Sequence, residues 1–110
     1  MPSKDFHALL DTIRRIHDKK NQDYADEYNP FSNFEEAAEH AGCSVIMVFR
    51  VIQGIKIARI KQLENSGRAP NNESLRDSKL DLAIYQLLEI SYEDFLLNQT
   101  IQEMIVECTP

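Results

Sequence analysis

One long apolar segment, from Val45 to Leu63, limits the folds that this chain can adopt. Strands in globular proteins seldom exceed about ten residues, so the segment is predicted to be a helix in spite of its β-branched residues. Its apolar residues cover more than one face of that helix, and we therefore expect the helix to be central and buried on several sides. The residues that form the pattern are Val45, Ile46, Val48, Phe49, Val51, Ile52, Ile55, Ile57, Ile60 and Leu63.

Apolar residues also recur at three- and four-residue steps before and after this segment, which is typical of amphipathic helices. Ser3 or Asp5 is the candidate N-cap of the first helix, Ser44 caps the central one, and Gly42 stands where a short helix should stop. No strand alternation or internal repeat is present. The sequence therefore predicts one all-α domain over residues 1–110, a bundle of four main helices plus one short helix. Besides the central helix, helices are predicted over residues 4–20, from residue 32 or 33 to residue 42, from residue 73 or 74 to residue 90, and finally to about residue 107.

Composition excludes several classes of partner. A chain of 110 residues can bury one core without disulfides or metals, and a net charge of -6 leaves no overall field to hold DNA or RNA. Cys43 and Cys108 lack metal-ligand spacing, which favours a reduced, cytoplasmic chain. We expect the polar N-terminus not to be a signal peptide, and the longest apolar run is too short for a bilayer. We expect no membrane partner.

A polar stretch from Lys19 to Phe34 separates the first two predicted helices. Loops of this length in a compact domain are usually functional or disordered, and the aromatic rings in this one argue against disorder. Amide, carboxylate and ammonium groups beside aromatic faces suit a small polar ligand such as a nucleotide. Alternatively, the Asn and Asp side chains only form turns. The candidate ligand residues are Lys20, Asn21, Asp23, Tyr24, Asn29, Phe31, Asn33 and Phe34.

Lys56 and Arg59 lie three residues apart in the middle of the central apolar segment, and Arg50 lies nearer its start. Charged residues on a buried element are seldom without partners. Two interpretations remain open: the cations pair with Asp77 or Asp81, or they bind a phosphate.

Glu73, Asp77 and Asp81 are spaced i, i+4 and i+8, so they share one face of a helix and repel one another. A Mg²⁺ ion bound through a few carboxylates and a ligand's phosphates would relieve that repulsion. The alternative is a solvated acidic face whose first member complements the helix dipole.

A second acidic cluster, Glu35, Glu36 and Glu39, follows the polar stretch. Facing carboxylate helices hold divalent ions in several helical bundles, which makes the cluster a weaker candidate metal site. Its alternative is an ordinary charged surface.

The ordered motifs Lys20-Asn21-x-Asp23-Tyr24, Asn29-Pro30-Phe31-x-Asn33-Phe34, Lys56-x-x-Arg59-Ile60 and Glu73 to Tyr85 resemble a phage and prophage family called nucleotide modification associated domain. The resemblance implies a role in phage nucleotide metabolism inside the bacterial host. It also adds Tyr85 to the candidate ligand residues. Where that family usually has aspartate before the lysine of its central helix, this chain has Ile55, which disfavours hydrolysis and leaves binding intact.

Glu35-Glu36-x-x-Glu39 is also similar to the Mg²⁺-binding signature of all-α nucleoside triphosphate pyrophosphohydrolases of the MazG and dimeric dUTPase type. That similarity implies Mg²⁺-dependent hydrolysis by a metal-bound water and sites built between subunits. Together with the apolar central helix, it predicts a homo-oligomer. We expect a protein that binds a nucleotide, or a nucleotide-derived signal, without turnover. A pyrophosphohydrolase and a purely structural helical adaptor are the alternatives.

Overall fold

A computed structural model describes residues 3–24, 29–66 and 72–108, without the side chains of residues 20–24, 72, 73 and 108. The described residues form four helices and no strand, which confirms the all-α prediction. The helices are α1 (Lys4–Tyr24), α2 (Ser32–Ala41), α3 (Val45–Glu64) and α4 (Asn72–Cys108).

Two predicted helix boundaries are wrong. Helix α1 continues to Tyr24, so Lys20, Asn21 and Asp23 lie in its last turns and not in a loop. The helices predicted on either side of residue 90 form the single, 37-residue helix α4. No glycine or proline lies between Asn72 and Cys108, so nothing in that part of the chain interrupts the helix.

The predicted caps are confirmed. Ser3 Oγ and Ser44 Oγ each accept a hydrogen bond of 3.1 Å from the backbone N–H three residues further on. Gly42 has the left-handed conformation (φ 70°, ψ 35°), and the amide of Cys43 donates to the carbonyl of Ala38 at 3.0 Å. This turn sets α2 and α3 at 92°. No described helix alone is long and apolar enough to cross a membrane, although α2 and α3 taken together pass that test.

An aromatic cluster joins α2, α3 and α4. Phe49 of α3 is fully buried, and its ring centroid lies 4.6 Å from that of Phe34 in α2. Phe31, just before α2, lies 5.2 Å from both Tyr92 and Phe95 of α4. Aromatic rings bury large areas and gain further from edge-on and tilted contacts, so this cluster fixes α2 against the two long helices.

The single chain is open, and α3 is less covered than its sequence predicts. The radius of gyration is 17.5 Å, whereas a compact domain of this length has about 13 Å. Met47, Val51 and Ile55, spaced four residues apart on α3, are 51%, 53% and 61% exposed. The prediction that α3 is buried on several sides is therefore wrong for one chain. Helices α2 and α4 pack on one side of it, and α1 packs against α4.

Candidate ligand site between α3 and α4

Lys56 and Arg59, the cations predicted for phosphate binding, both reach from α3 to α4. Lys56 Nζ lies 3.0 Å from Asp81 Oδ2, and each of these side chains is 26% exposed. Arg59 Nε donates to Ser78 Oγ at 3.2 Å, where Ser78 is buried and Arg59 is exposed. Lys56 therefore adopts the predicted pairing with Asp81. Arg59 uses one nitrogen, and no acceptor for its terminal nitrogens is found among the described residues.

A second polar contact between the same helices centres on Glu89. Its carboxylate, 12% exposed, accepts hydrogen bonds from Arg50 Nε at 2.8 Å and from Gln53 Nε2 at 3.0 Å. The Arg50 bond lowers the pKa of Glu89, although burial acts in the opposite direction, and Glu89 in turn raises the pKa of Arg50. This contact with Glu89 was not predicted from the sequence. Its signals there were Arg50 and Gln53 in an apolar segment, but their partner Glu89 lies far away in sequence.

The residues that lead into α2 have mainly internal contacts. Asn29 Oδ1 accepts from the amide of Phe31 at 3.0 Å, and Asn29 Nδ2 donates to Glu35 Oε1 at 2.8 Å. This is the turn-forming role that Asn side chains commonly play. Phe31 and Phe34 belong to the aromatic cluster. Asn33 is exposed, and its side chain makes no hydrogen bond within the described part of the chain.

The remaining ligand candidates are dispersed. The half-buried Tyr85 ring lies edge-on to Phe34 at 6.4 Å, about one turn beyond Asp81 on α4. The side chains of Lys20, Asn21, Asp23 and Tyr24 lie outside the described residues. A surface groove of about 380 Å³ on α1 is lined by Lys4, His7, Ala8 and Asp11, none of which was predicted to bind a ligand.

The two predicted carboxylate groups lie at different levels of the bundle. Asp77 is exposed, Asp81 is paired with Lys56, and the side chain of Glu73 is not described. Glu35 accepts from Asn29 and, after burial, is the second cause of a raised pKa at Tyr92. Tyr92 is about 16 Å beyond Asp81 along α4.

Glu36 and Glu39 are exposed. The described residues contain no group of three or more Asp, Glu, His or Cys side chains that could hold a metal ion. Mg²⁺ binding thus stays a prediction from the sequence.

The fold and these contacts define a small all-α protein in which charged side chains join two long helices. Comparison of the chain with known protein families, curated proteins and solved structures finds no match. Function is therefore inferred from the residues themselves.

Proposed function

We propose that this protein binds a nucleotide, or a nucleotide-derived signal, without turning it over. It would act as a phage sponge that sequesters the signal, or as a nucleotide-handling accessory protein. The observation that carries the proposal is the position of the Arg59 guanidinium. Its Nε donates a hydrogen bond to Ser78 Oγ, and no described residue accepts one from its terminal nitrogens. A guanidinium held in this way loses little freedom when two parallel N–H groups bind a phosphate.

The charges around Arg59 suggest how such a ligand arrives. Lys56 and Arg59 carry two positive charges, while Asp81 and the exposed Asp77 carry two negative ones. A bare phosphate would meet a nearly neutral surface, whereas a nucleotide with its Mg²⁺ would bring a cation for the aspartates. Tyr85, about one turn further along α4, is the nearest candidate to contact a base.

The first experiment asks what is bound and whether it changes. Purified protein is incubated with nucleoside triphosphates and with cyclic and ADP-ribose-type nucleotides, with and without Mg²⁺, and the mixtures are analysed by chromatography. We expect depletion of one nucleotide and its intact recovery after heating the protein. New products would favour the pyrophosphohydrolase alternative.

The second experiment uses a matched pair of substitutions on α3. Arg59→Gln should weaken binding of the depleted nucleotide about ten- to a hundredfold, the value of one or two hydrogen bonds to a charged group. Lys61→Gln removes the same charge from an exposed position two residues away and should change affinity less than about twofold. Equal affinities of the two variants would exclude Arg59 from the site.

A specific observation favours the helical adaptor as a second candidate. Large apolar side chains are exposed on one face along the last turns of α4, among them Leu97, Met104 and Ile105 at 58%, 59% and 56%. Scattered exposed apolar residues are normal, but a contiguous group marks an interaction surface. The adaptor function predicts that this surface stays free in the purified protein, so the protein should be monomeric. Light scattering measures the molar mass that tests this.

A further inference from the structure

The part of α4 from Leu96 to Glu107, which we name the α4 extension, is left uncovered by the other described helices. Every residue in it is exposed. It is roughly three turns long, and a helix of that length without tertiary contacts is marginal in water. The apolar residues that share one face of this helix should therefore be covered by another surface. They are spaced i, i+4, i+7 and i+8, and they are Leu97, Ile101, Met104 and Ile105.

The negative charge of this part of α4 favours some covering surfaces over others. From Gln86 to Glu107 the chain contains acidic residues and no lysine or arginine. Two such segments packed together would bring like charges close, which is unfavourable. Glu89 is paired with Arg50 of its own chain, and the exposed acidic residues are Glu93, Asp94, Glu103 and Glu107.

Helix α1 has exposed apolar side chains and a small excess of positive charge, with four cations against three aspartates over residues 4–19. Phe6 and Leu10 are 58% and 38% exposed on it. The side chain of Arg14 is 75% exposed, and its one carboxylate neighbour among the described residues is the equally exposed Asp11 at 3.9 Å. Arg15 donates a long hydrogen bond, 3.4 Å, to Thr12 Oγ1. The described residues therefore engage these two cations only weakly.

We propose that the protein forms a symmetric dimer in which the α4 extension of each copy packs against α1 of the other. The α4 extension has 12 residues and is about 18 Å long, and the 21-residue helix α1, about 30 Å long, is long enough to cover it. The contact occurs twice, as a two-fold axis requires. The exposed apolar side chains amount to on the order of 600–800 Å² per copy, close to the ~800 Å² that each partner contributes to a standard interface.

Sedimentation velocity over a range of protein concentrations tests the apolar part of this contact. Leu97→Glu and Ile101→Glu should each convert the dimer to a monomer and leave the helical signal in circular dichroism unchanged, because neither side chain is buried within its own chain. Gln99→Glu adds the same charge on the opposite face of α4 and should leave the dimer intact. A monomeric parent protein at all concentrations would overturn the proposal and return the surface to the adaptor function.

Salt and charge reversal test which surface covers the extension. The double variant Arg14→Glu with Arg15→Glu should raise the dissociation constant at least about tenfold, and added salt should weaken the parent dimer. Lys61→Glu with Arg76→Glu makes the same change of charge elsewhere and should have little effect on dimerisation. A dimer that salt strengthens, and that is indifferent to the substitutions in α1, would mean that two α4 extensions pack together, and the assignment of α1 would be wrong.

Discussion

Replacing Asn29 by alanine tests whether the entry to α2 is held by its own side chain or kept for a ligand. The substitution removes the hydrogen bond to the Phe31 amide, comparable to a lost helix cap at about 0.5–2 kcal/mol. It also removes the bond to Glu35, which contributes less than a buried charged hydrogen bond because both side chains are only half-buried. We expect a total of about 1–3 kcal/mol, and a melting temperature about 5 °C lower for each kcal/mol.

Urea unfolding followed by circular dichroism measures this free energy, and an unchanged slope with urea would show that the unfolding reaction is the same. Asn33→Ala is the control, because the Asn33 side chain is exposed and makes no hydrogen bond to the described residues. The free energy of unfolding of this variant should differ from that of the parent protein by less than about 0.5 kcal/mol. If Asn33 contacts the nucleotide, calorimetry should show about a tenfold loss of affinity in this variant alone. A stable Asn29→Ala variant beside a destabilised Asn33→Ala variant would refute the assignment of these roles.

Three further predictions test the rest of the fold. Phe49→Ala removes the fully buried ring of the aromatic cluster and should lower the free energy of unfolding by about 3–5 kcal/mol in urea; a loss under about 1 kcal/mol would contradict its central place. The pKa of Glu89 is lowered from its ordinary value of 4.5 by Arg50, so its contribution to stability is complete above that pH and is lost as pH falls through the lowered pKa. Glu89→Gln should therefore flatten the fall of melting temperature below about pH 4.5, and an unchanged acid profile would show that the contact does not persist in solution. Lys56→Ala and Asp81→Ala, measured singly and together, should show a coupling of about 0.5–1 kcal/mol, whereas simple additivity would leave Lys56 free for a ligand.

The sequence alone was sufficient for the secondary structure wherever the signal is local. Ser3, Ser44 and Gly42 act on backbone groups within a few residues, so their positions predict where helices begin and end. The prediction failed where the chain has no such signal. Nothing near residue 90 breaks a helix, and a separate last helix was predicted only because its apolar residues look like a new pattern.

The candidate site could be predicted only as a set of residue types. The sequence places the charges of Lys56, Arg59 and Asp81 on two predicted helices. That placement is compatible both with ion pairs between the helices and with phosphate binding. Only packing of α3 against α4 brings Lys56 Nζ to 3.0 Å from Asp81, and it is the same packing that gives Arg59 the hydroxyl of Ser78. Glu89 was missed for the same reason, since its partners lie on another helix.

Burial was decided by tertiary structure as well. The sequence by itself determined that α3 and the end of α4 are apolar, because composition is a local property. Which of their faces is covered depends on where the other helices pack, and in one chain α1 packs against α4 while Val51, Ile55 and Leu97 stay exposed. An apolar pattern indicates that a surface should be covered. Only the arrangement of the helices shows that the other helices of this chain leave that surface exposed.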